Sequence, residues 1–189
     1  MTATAEEKKI IATRMPTIRQ IKDADLRDRV IEAWVRVWRE SGFKDIGDAP
    51  FQCGLKGSVE NLMRHTNATA RMSRAAAREF EKVYAVSLNH DFVLAGAILH
   101  DLDKIVMYRV NGNSVEETAK AKTFVHGKYG AEVAEKVGIP PEVVNIIASH
   151  SALHPSEPPA SAEAVVVAFC DQVSYHSYPF LSGKGVFSK

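Results

Sequence analysis

Apolar residues recur at three- and four-residue steps along most of the chain, a pattern typical of amphipathic helices. From Thr17 to Gly42 they predict a helix with an interruption near Asp23–Asp25 and a C-terminal cap at Gly42. A second helix is predicted from Val59 to Val86. Its apolar face is expected to contain Leu62, Met72, Ala76, Phe80 and Val83.

The strongly apolar segment that ends at Leu99 predicts a third helix, with Asn89 or Asp91 as its N-cap. Residues 108–124 are mostly polar and contain an Asn-Gly turn signal. We therefore expect an exposed loop over this range.

Helical patterns continue in the last third of the chain. One short helix is expected to end at Gly138, and the next to begin near Pro140–Pro141, where proline is tolerated. A last buried helix is predicted over residues 163–177. Because neither a repeat nor a linker divides the chain, the pattern favours an all-α fold in a single domain.

Composition narrows the class of protein. The chain has 189 residues, of which 46% are hydrophobic and 25% charged, and these values are typical of a globular domain with a sizeable core. A formal charge of +1 argues against nucleic acid as the main partner. Cys53 and Cys170 are too few for a disulfide framework, so we expect free thiols. The chain shows neither a signal peptide nor a membrane-spanning stretch, which predicts a cytoplasmic protein.

Histidines and acids occur at helix positions that also carry core residues. A lone residue of this kind is most often a hydrogen-bonded core histidine or a helix cap. Burying several is costly unless they are paired or bind metal, and imidazole with carboxylate is a donor set for Fe, Mn, Co, Ni or Zn. The joint pattern therefore favours a metal site. The candidate residues are His65, His100, Asp101, His126, His150 and Asp171.

The order of these residues resembles the HD-domain metalloenzymes, an all-helical family named for an adjacent His-Asp pair. The family pattern is a helical His, an apolar helix ending in HD and usually continuing as HDIGK, and a final Asp. Here His65, the segment Leu99–Lys104 and Asp171 match that pattern. Binuclear members add two histidines before the last Asp, and His126 and His150 match them.

The resemblance implies a shared arrangement of ligands. His65, His100 and Asp171 would hold one divalent metal ion and His126 and His150 another, with Asp101 bridging the two. The resemblance also implies that Asp101 and Lys104 are catalytic. Lys104 would lie one helical turn beyond His100, where its charge suits a phosphate oxygen, and Lys128 is a further candidate for substrate binding.

The chain departs from the family pattern in two places. Asp103 replaces the usual glycine before the lysine, which places another acid close to the site with its role open. Ser151 follows His150 where many binuclear members have a second histidine, and His154 is a candidate replacement.

Three functions fit the candidate residues. The first is a phosphohydrolase in which metal-activated water cleaves a phosphate ester of a small molecule or nucleotide. The second is a di-iron oxygenase acting on a small polar substrate, because some proteins similar to the family use the same ligands to activate oxygen. The third is a non-catalytic binding or regulatory module, which the complete ligand set disfavours.

The resemblance also predicts how the chain is organised. We expect an HD domain at residues 58–178, preceded by an N-terminal helix and connecting segment over residues 1–57 that pack on it. A C-terminal tail is expected over residues 179–189. Trp34 and Trp38 are predicted to pack in the core, and a homodimer interface is the alternative for them.

Overall fold

The computed structural model describes residues 2–52, 54–55, 61–151 and 155–181, and the fold there is mainly helical, as predicted. The helices are α1 (Ala5–Arg14), α2 (Ala24–Glu40), α3 (Leu62–Tyr84), α4 (His90–Leu99), α5 (Lys104–Met107), α6 (Lys128–Lys136), α7 (Pro141–Ser149) and α8 (Ala162–Leu181). Short 3-10 helices cover Pro16–Gln20, Ile46–Asp48 and Lys120–Thr123. The strands are β1 (Gly54–Leu55), β2 (Tyr108–Asn111) and β3 (Ser114–Glu117).

Helix α4 lies at the centre of the bundle and contacts α2, α3, α7 and α8. All residues from Val93 to Leu99 are buried, as expected for a helix that is apolar on every side. Asn89 caps α4 by accepting hydrogen bonds from the backbone N–H groups of Asp91 and Phe92, so one of the two predicted caps is confirmed. The Asp91 carboxylate instead accepts the backbone N–H groups at positions 22 and 23.

Glycine allows α4 to approach α7 closely. A Cβ atom added at Gly96 would lie 2.4 Å from Ile146 Cγ2 and 2.9 Å from Ile146 Cβ, both in α7. The spacing of these two helices is therefore set by a position without a side chain.

The N-terminal region differs in detail from the prediction. Helix α1 was not anticipated from the apolar pattern. The predicted interruption near Asp23 is confirmed, because Asp23 is the N-cap of α2 and accepts hydrogen bonds from the backbone of Asp25 and Leu26. The predicted cap at Gly42 is wrong, since α2 ends at Glu40 with Ser41 as its C-cap.

Trp34 is fully buried and donates a hydrogen bond from Nε1 to the Ile98 carbonyl of α4, over 3.2 Å. Trp38 is partly buried and packs against the core. The predicted core placement of the two tryptophans is therefore confirmed, and α2 is packed directly on the central helix.

The predicted apolar face of α3 is wrong at its C-terminal end. Phe80 and Val83 are 45% and 69% exposed, and the last buried residue of α3 is Ala77. Periodicity identifies the apolar side of a long helix but not how far neighbouring helices cover it. The predicted start at Val59 lies outside the described residues.

The loop predicted over residues 108–124 is wrong in its first half, which forms an antiparallel hairpin. Val110 pairs with Val115 across β2 and β3, and β1 adds to the other edge of β3. The Asn-Gly signal correctly marks the turn, where Gly112 has a φ of +56°. Two four-residue strands are too short for alternation to distinguish them from a polar loop.

The boundary between α6 and α7 agrees with the sequence. Gly138 follows α6 with a φ of +80°, and Pro141 is the first residue of α7.

The last helix is longer and less buried than predicted. Helix α8 continues to Leu181, past the predicted end at residue 177 and into the expected tail. Phe169 and Val173 are 63% and 56% exposed, and the apolar pattern does not show which face of the helix its neighbours cover. Within the described ranges, no helix combines the length and apolar character needed to cross a bilayer. Cys170 is a free thiol, as predicted, and Cys53 lies outside the described residues.

Candidate metal centre

The structure brings all six candidate residues together at the centre of the bundle. His65 lies in α3, Asp171 lies in α8, and His100 and Asp101 directly follow α4. His126 precedes α6 and His150 directly follows α7. Five of these side chains are at least nine-tenths buried, whereas His126 is 28% exposed.

One part of the cluster, here called the buried half, contains His65, His100 and Asp171. His65 Nε2 lies 3.1 Å from His100 Nε2 and 2.9 Å from Asp171 Oδ1. Asp101 Oδ2 lies 3.2 Å from His100 Nε2 and 3.4 Å from His65 Nε2. These four residues direct one ligand atom each into a space small enough for a single ion.

The other part, here called the open half, contains His126 and His150. Their Nε2 atoms are 3.1 Å apart, and Asp101 Oδ1 lies 3.2 Å from the first and 3.5 Å from the second. Asp101 therefore directs one oxygen into each half. This arrangement is compatible with the bridging role that the family resemblance implies for Asp101.

The imidazole rings are oriented by hydrogen bonds on their far side. His100 Nδ1 donates to the Ala97 carbonyl and His150 Nδ1 donates to the Ile147 carbonyl, each over 2.7 Å. These carbonyls belong to the last turns of α4 and α7, where the helix leaves carbonyls without an internal partner. Because a carbonyl only accepts, Nδ1 carries the proton in both rings, and the neutral form directs the Nε2 lone pair into the cluster.

The converging atoms fit a divalent metal ion. Imidazole lone pairs and carboxylate oxygens are all acceptors, and acceptors only 3 to 3.5 Å apart repel one another unless a proton or cation lies between them. Asp101 Oδ2 is buried and accepts no hydrogen bond from the described residues, although the Lys104 ammonium lies 3.0 Å away. Zinc, iron and manganese use such nitrogen and oxygen ligands, with each imidazole oriented by a hydrogen bond from its other ring nitrogen.

Electrostatics within the cluster favour bound cations. Burial disfavours the charged form of His100, but the carboxylates of Asp101 and Asp171 outweigh burial and raise its pKa to about 10. Burial likewise opposes charge on His126, yet Asp103 and Asp101 raise its pKa to about 9. The pKa of the Asp101 carboxyl is held well below its usual range, against burial, by the charges of Lys104 and His100.

Lys104 lies beside the cluster, as predicted. Its Nζ is 3.0 Å from Asp101 Oδ2 and 3.9 Å from the centre of the Phe51 ring. The Phe51 ring also packs on His65, with 4.0 Å between ring centroids, and is 2% exposed. Phe51 was missed because it lies in an irregular segment, where no periodic pattern marks it as part of a site.

Ser174 was also missed. Its Oγ lies 3.1 Å from His65 Nδ1, one helical turn after Asp171 on the same face of α8. A polar residue three positions after a candidate ligand on a helix is a signal that could have found it.

Asp103, whose role was open, is fully buried behind the open half. It accepts hydrogen bonds from His126 Nδ1 over 2.9 Å and from the Gly127 N–H over 2.7 Å. By contrast, Lys128 is exposed at the start of α6, and in the described structure no hydrogen bond or ion pair joins it to the cluster. Ser151 is half-buried, and His154 lies outside the described residues.

Comparison with known proteins gives consistent matches. A family model described as "HD domain" matches residues 62–176. The dihydroneopterin 2',3'-cyclic phosphate phosphodiesterase of Methanocaldococcus jannaschii is 31% identical, over 81% of this chain and 64% of the relative. Ribonuclease Y of Fervidobacterium nodosum is 28% identical over 82% of this chain and 25% of the ribonuclease. Ribonuclease Y of Thermotoga maritima is 30% identical over 61% of this chain and 18% of the ribonuclease.

The chain thus spans less than two thirds of the length of each of these relatives. No solved structure gives a significant match. The family match includes every residue of the cluster, from His65 to Asp171, and the adjacent His-Asp pair lies at its centre. This chain therefore belongs to the HD domain family.

Proposed function

We propose that this protein is a metal-dependent phosphohydrolase that cleaves a phosphate ester of a small molecule or nucleotide. The observation that carries the proposal is the buried Asp101 carboxylate, which directs one oxygen into each of two groups of imidazole nitrogens. The names of the relatives, a phosphodiesterase and ribonucleases, support hydrolysis of phosphate esters over the alternative of oxygen chemistry.

We propose that His65, His100, Asp101 and Asp171 hold one divalent metal ion, and that Asp101, His126 and His150 hold a second. Fe, Mn, Co, Ni and Zn all suit these nitrogen and oxygen donors. Metal ions in such sites lower the pKa of bound water and neutralise charge on phosphoryl oxygens.

The surrounding residues have separate tasks in this proposal. Asp101 keeps the two halves at a fixed spacing. The Lys104 ammonium, held between Asp101 and the Phe51 ring, donates to a phosphate oxygen and stabilises the charge that develops during cleavage. The Phe51 ring excludes water from one side of His65. Substrate enters beside His126, the most exposed of the six residues.

The substrate class follows from charge and from the relatives. The formal charge of +1 gives the chain little net attraction for an RNA backbone, so we propose a small molecule in spite of the ribonuclease relatives. The archaeal relative is named for a cyclic phosphodiester, which makes cyclic phosphodiesters and simple monoesters the first substrates to test. A cytoplasmic location, the domain boundaries and a role for Lys128 stay predictions.

The test is phosphate-ester hydrolysis by purified protein loaded in turn with Mn, Fe, Co, Ni or Zn. A panel of phosphomonoesters, linear diesters and 2',3'-cyclic phosphates is expected to give product with at least one metal, and Asp101→Ala is expected to abolish it. Absence of hydrolysis across the panel, together with oxygen consumption by the iron-loaded protein, would instead establish the oxygenase. Saturable binding of phosphate compounds without turnover would establish a binding module.

A further inference from the structure

We propose that Asp103 is a positioning residue for His126 and that binding of a second metal ion depends on it. This inference rests on the proposed function, because it concerns the open half of the same cluster. Asp103 stands where the family pattern has glycine, so the proposed dependence is specific to chains with an acid at this position.

The first step is the difference in how the rings of the cluster are anchored. His100 and His150 each follow a helix and use the carbonyl three residues earlier in their own helix. His126 precedes α6, in a turn closed by the hydrogen bond from Lys128 N to the Val125 carbonyl, and has no such helix-end carbonyl. The carboxylate of Asp103 replaces that carbonyl and accepts a hydrogen bond from His126 Nδ1.

The second step is that Asp103 also fixes the backbone next to the ring. Its other oxygen accepts the Gly127 N–H over 2.7 Å. Gly127 has a φ of +82°, and a Cβ there would lie 3.2 Å from the Ile147 carbonyl oxygen and 3.3 Å from His150 Cε1. The turn that carries His126 is therefore packed closely against the last turn of α7, and Asp103 holds the backbone of that turn through the Gly127 N–H.

The third step concerns the energetic cost of burying Asp103. The side chain is fully buried, and a buried carboxylate is tolerated only with donors or cations close by. Its two hydrogen bonds in the described structure both come from the turn at residues 126–127. A carboxylate behind a metal-binding imidazole fixes the tautomer, so that Nε2 presents its lone pair, and raises the basicity of the ring. The geometry thus gives Asp103 a task at the open half alone.

Metal binding by Asp103→Asn tests this directly. Asparagine keeps the shape but offers one acceptor oxygen, and its amide N–H₂ group would face a second donor. Isothermal titration calorimetry and elemental analysis with Mn²⁺ are expected to show two ions per wild-type chain. Asp103→Asn is expected to bind the first ion with unchanged affinity and the second about 10- to 100-fold more weakly.

Two control variants frame the result. His126→Ala is expected to lose the same second ion. Asp91→Asn alters a carboxylate that also accepts two backbone N–H groups but lies outside the cluster, and it is expected to keep both ions. The inference would be overturned if Asp103→Asn bound both ions with wild-type affinity or lost both ions. It would also be overturned if the wild-type protein bound a single ion.

A measurement on the wild-type protein tests the inference even if the variants do not fold. Long-range ¹H–¹⁵N NMR spectra of the histidine rings in the Zn²⁺-loaded protein are expected to show His126 protonated at Nδ1, and protonation at Nε2 would overturn the inference. The outcome is also independent of catalysis. An inactive wild type whose second ion depends on Asp103 would refute the hydrolase only, and an active enzyme that keeps both ions in Asp103→Asn would refute this inference only.

Discussion

The two halves of the cluster contain the same kinds of ligand atom but hold them differently. In the buried half, His65 and Asp171 lie within long helices, and Ser174 and Phe51 contact the His65 ring. In the open half, His126 lies in a turn and depends on Asp103. A metal-binding side chain inside a helix is oriented by the packing of that helix. A metal-binding side chain in a turn needs another residue that orients it through a hydrogen bond. Loss of a residue should therefore affect folding in the first case and mainly metal binding in the second.

Removing the residue common to both halves should have the largest effect. Asp101→Asn replaces one of the two carboxylate oxygens that we propose bind the metal ions with an amide nitrogen that cannot bind metal. We expect metal content to fall from two ions to near zero and the rate of phosphate-ester hydrolysis to fall on the order of 10³-fold or more. Elemental analysis and a product assay with the best substrate of the panel measure both. Asp91→Asn changes the other His-Asp pair of the chain, and equal metal loss there would contradict a specific role for Asp101.

Separate removal of one histidine from each half should distinguish them. His65→Ala leaves a cavity in α3 and removes a partner of Asp171, so we expect the free energy of unfolding of chelator-treated protein to fall by about 2–4 kcal/mol. His126→Ala affects a partly exposed turn and should cost about 1–2 kcal/mol. Urea unfolding in the presence of EDTA measures this difference. Equal losses would mean that the two halves are held alike.

Lys104 borders the cluster without being a ligand, so its removal should separate catalysis from metal binding. Lys104→Met keeps the packing on Phe51 but removes the ammonium, and we expect kcat to fall about 10²-fold with both metal ions retained. Steady-state kinetics with metal analysis of the same samples test this. A loss of metal comparable to that in Asp101→Asn would show that Lys104 maintains the cluster and has no separate role in the reaction.

Gly96 sets the spacing between the helix that leads to His100 and the helix that leads to His150. Gly96→Ala places a methyl group against Ile146, and overpacking of this kind costs about 1–3 kcal/mol of unfolding free energy. Metal affinity should weaken in both halves, because α4 and α7 move apart. Gly42→Ala, where a Cβ would have nothing within 4 Å, is the matched control. Unchanged stability and affinity in Gly96→Ala would show that the two halves adjust independently.

The smallest expected effect is on pH dependence. The pKa values of His100 and His126 are raised to about 10 and about 9, so in chelator-treated protein their stabilising contribution is complete below the unfolded value of about 6.5. That contribution is lost as the pH rises through 9 to 10. A divalent ion has to displace these protons, so the increase in Tm on adding Mn²⁺ should grow by a few degrees from about pH 6 to about pH 8. A constant or shrinking increase would contradict the titration of these rings.

The sequence predicted the candidate metal ligands better than the residues that position them. His65, His100 and Asp171 could be found because polar residues are conspicuous among the apolar positions of helices. Asp103 was visible as an unexpected acid, but its partner is 23 residues away and only the folded chain brings it to His126. Phe51 had no signal, since an aromatic residue in an irregular segment can pack almost anywhere.

Errors in the predicted fold have similar causes. The sequence predicts a loop where the hairpin lies, because the two strands are stabilised by pairing with each other and with β1 and neither has a long apolar pattern. The sequence predicts that the exposed end of α3 is core, because the spacing of Phe80 and Val83 does not depend on whether a neighbouring helix covers them. In both cases tertiary contacts decided the outcome.

Phe51 and Trp34 lie upstream of residue 62, where the family match begins, yet the first covers His65 and the second is hydrogen-bonded to the helix that leads to His100. A truncated protein starting at that family boundary would lack the aromatic ring that packs on His65 and would leave the Ile98 carbonyl without its indole partner. We therefore expect a fragment that keeps both contacts to start before α2, and fragments trimmed to the family boundary to be unsuitable for assays.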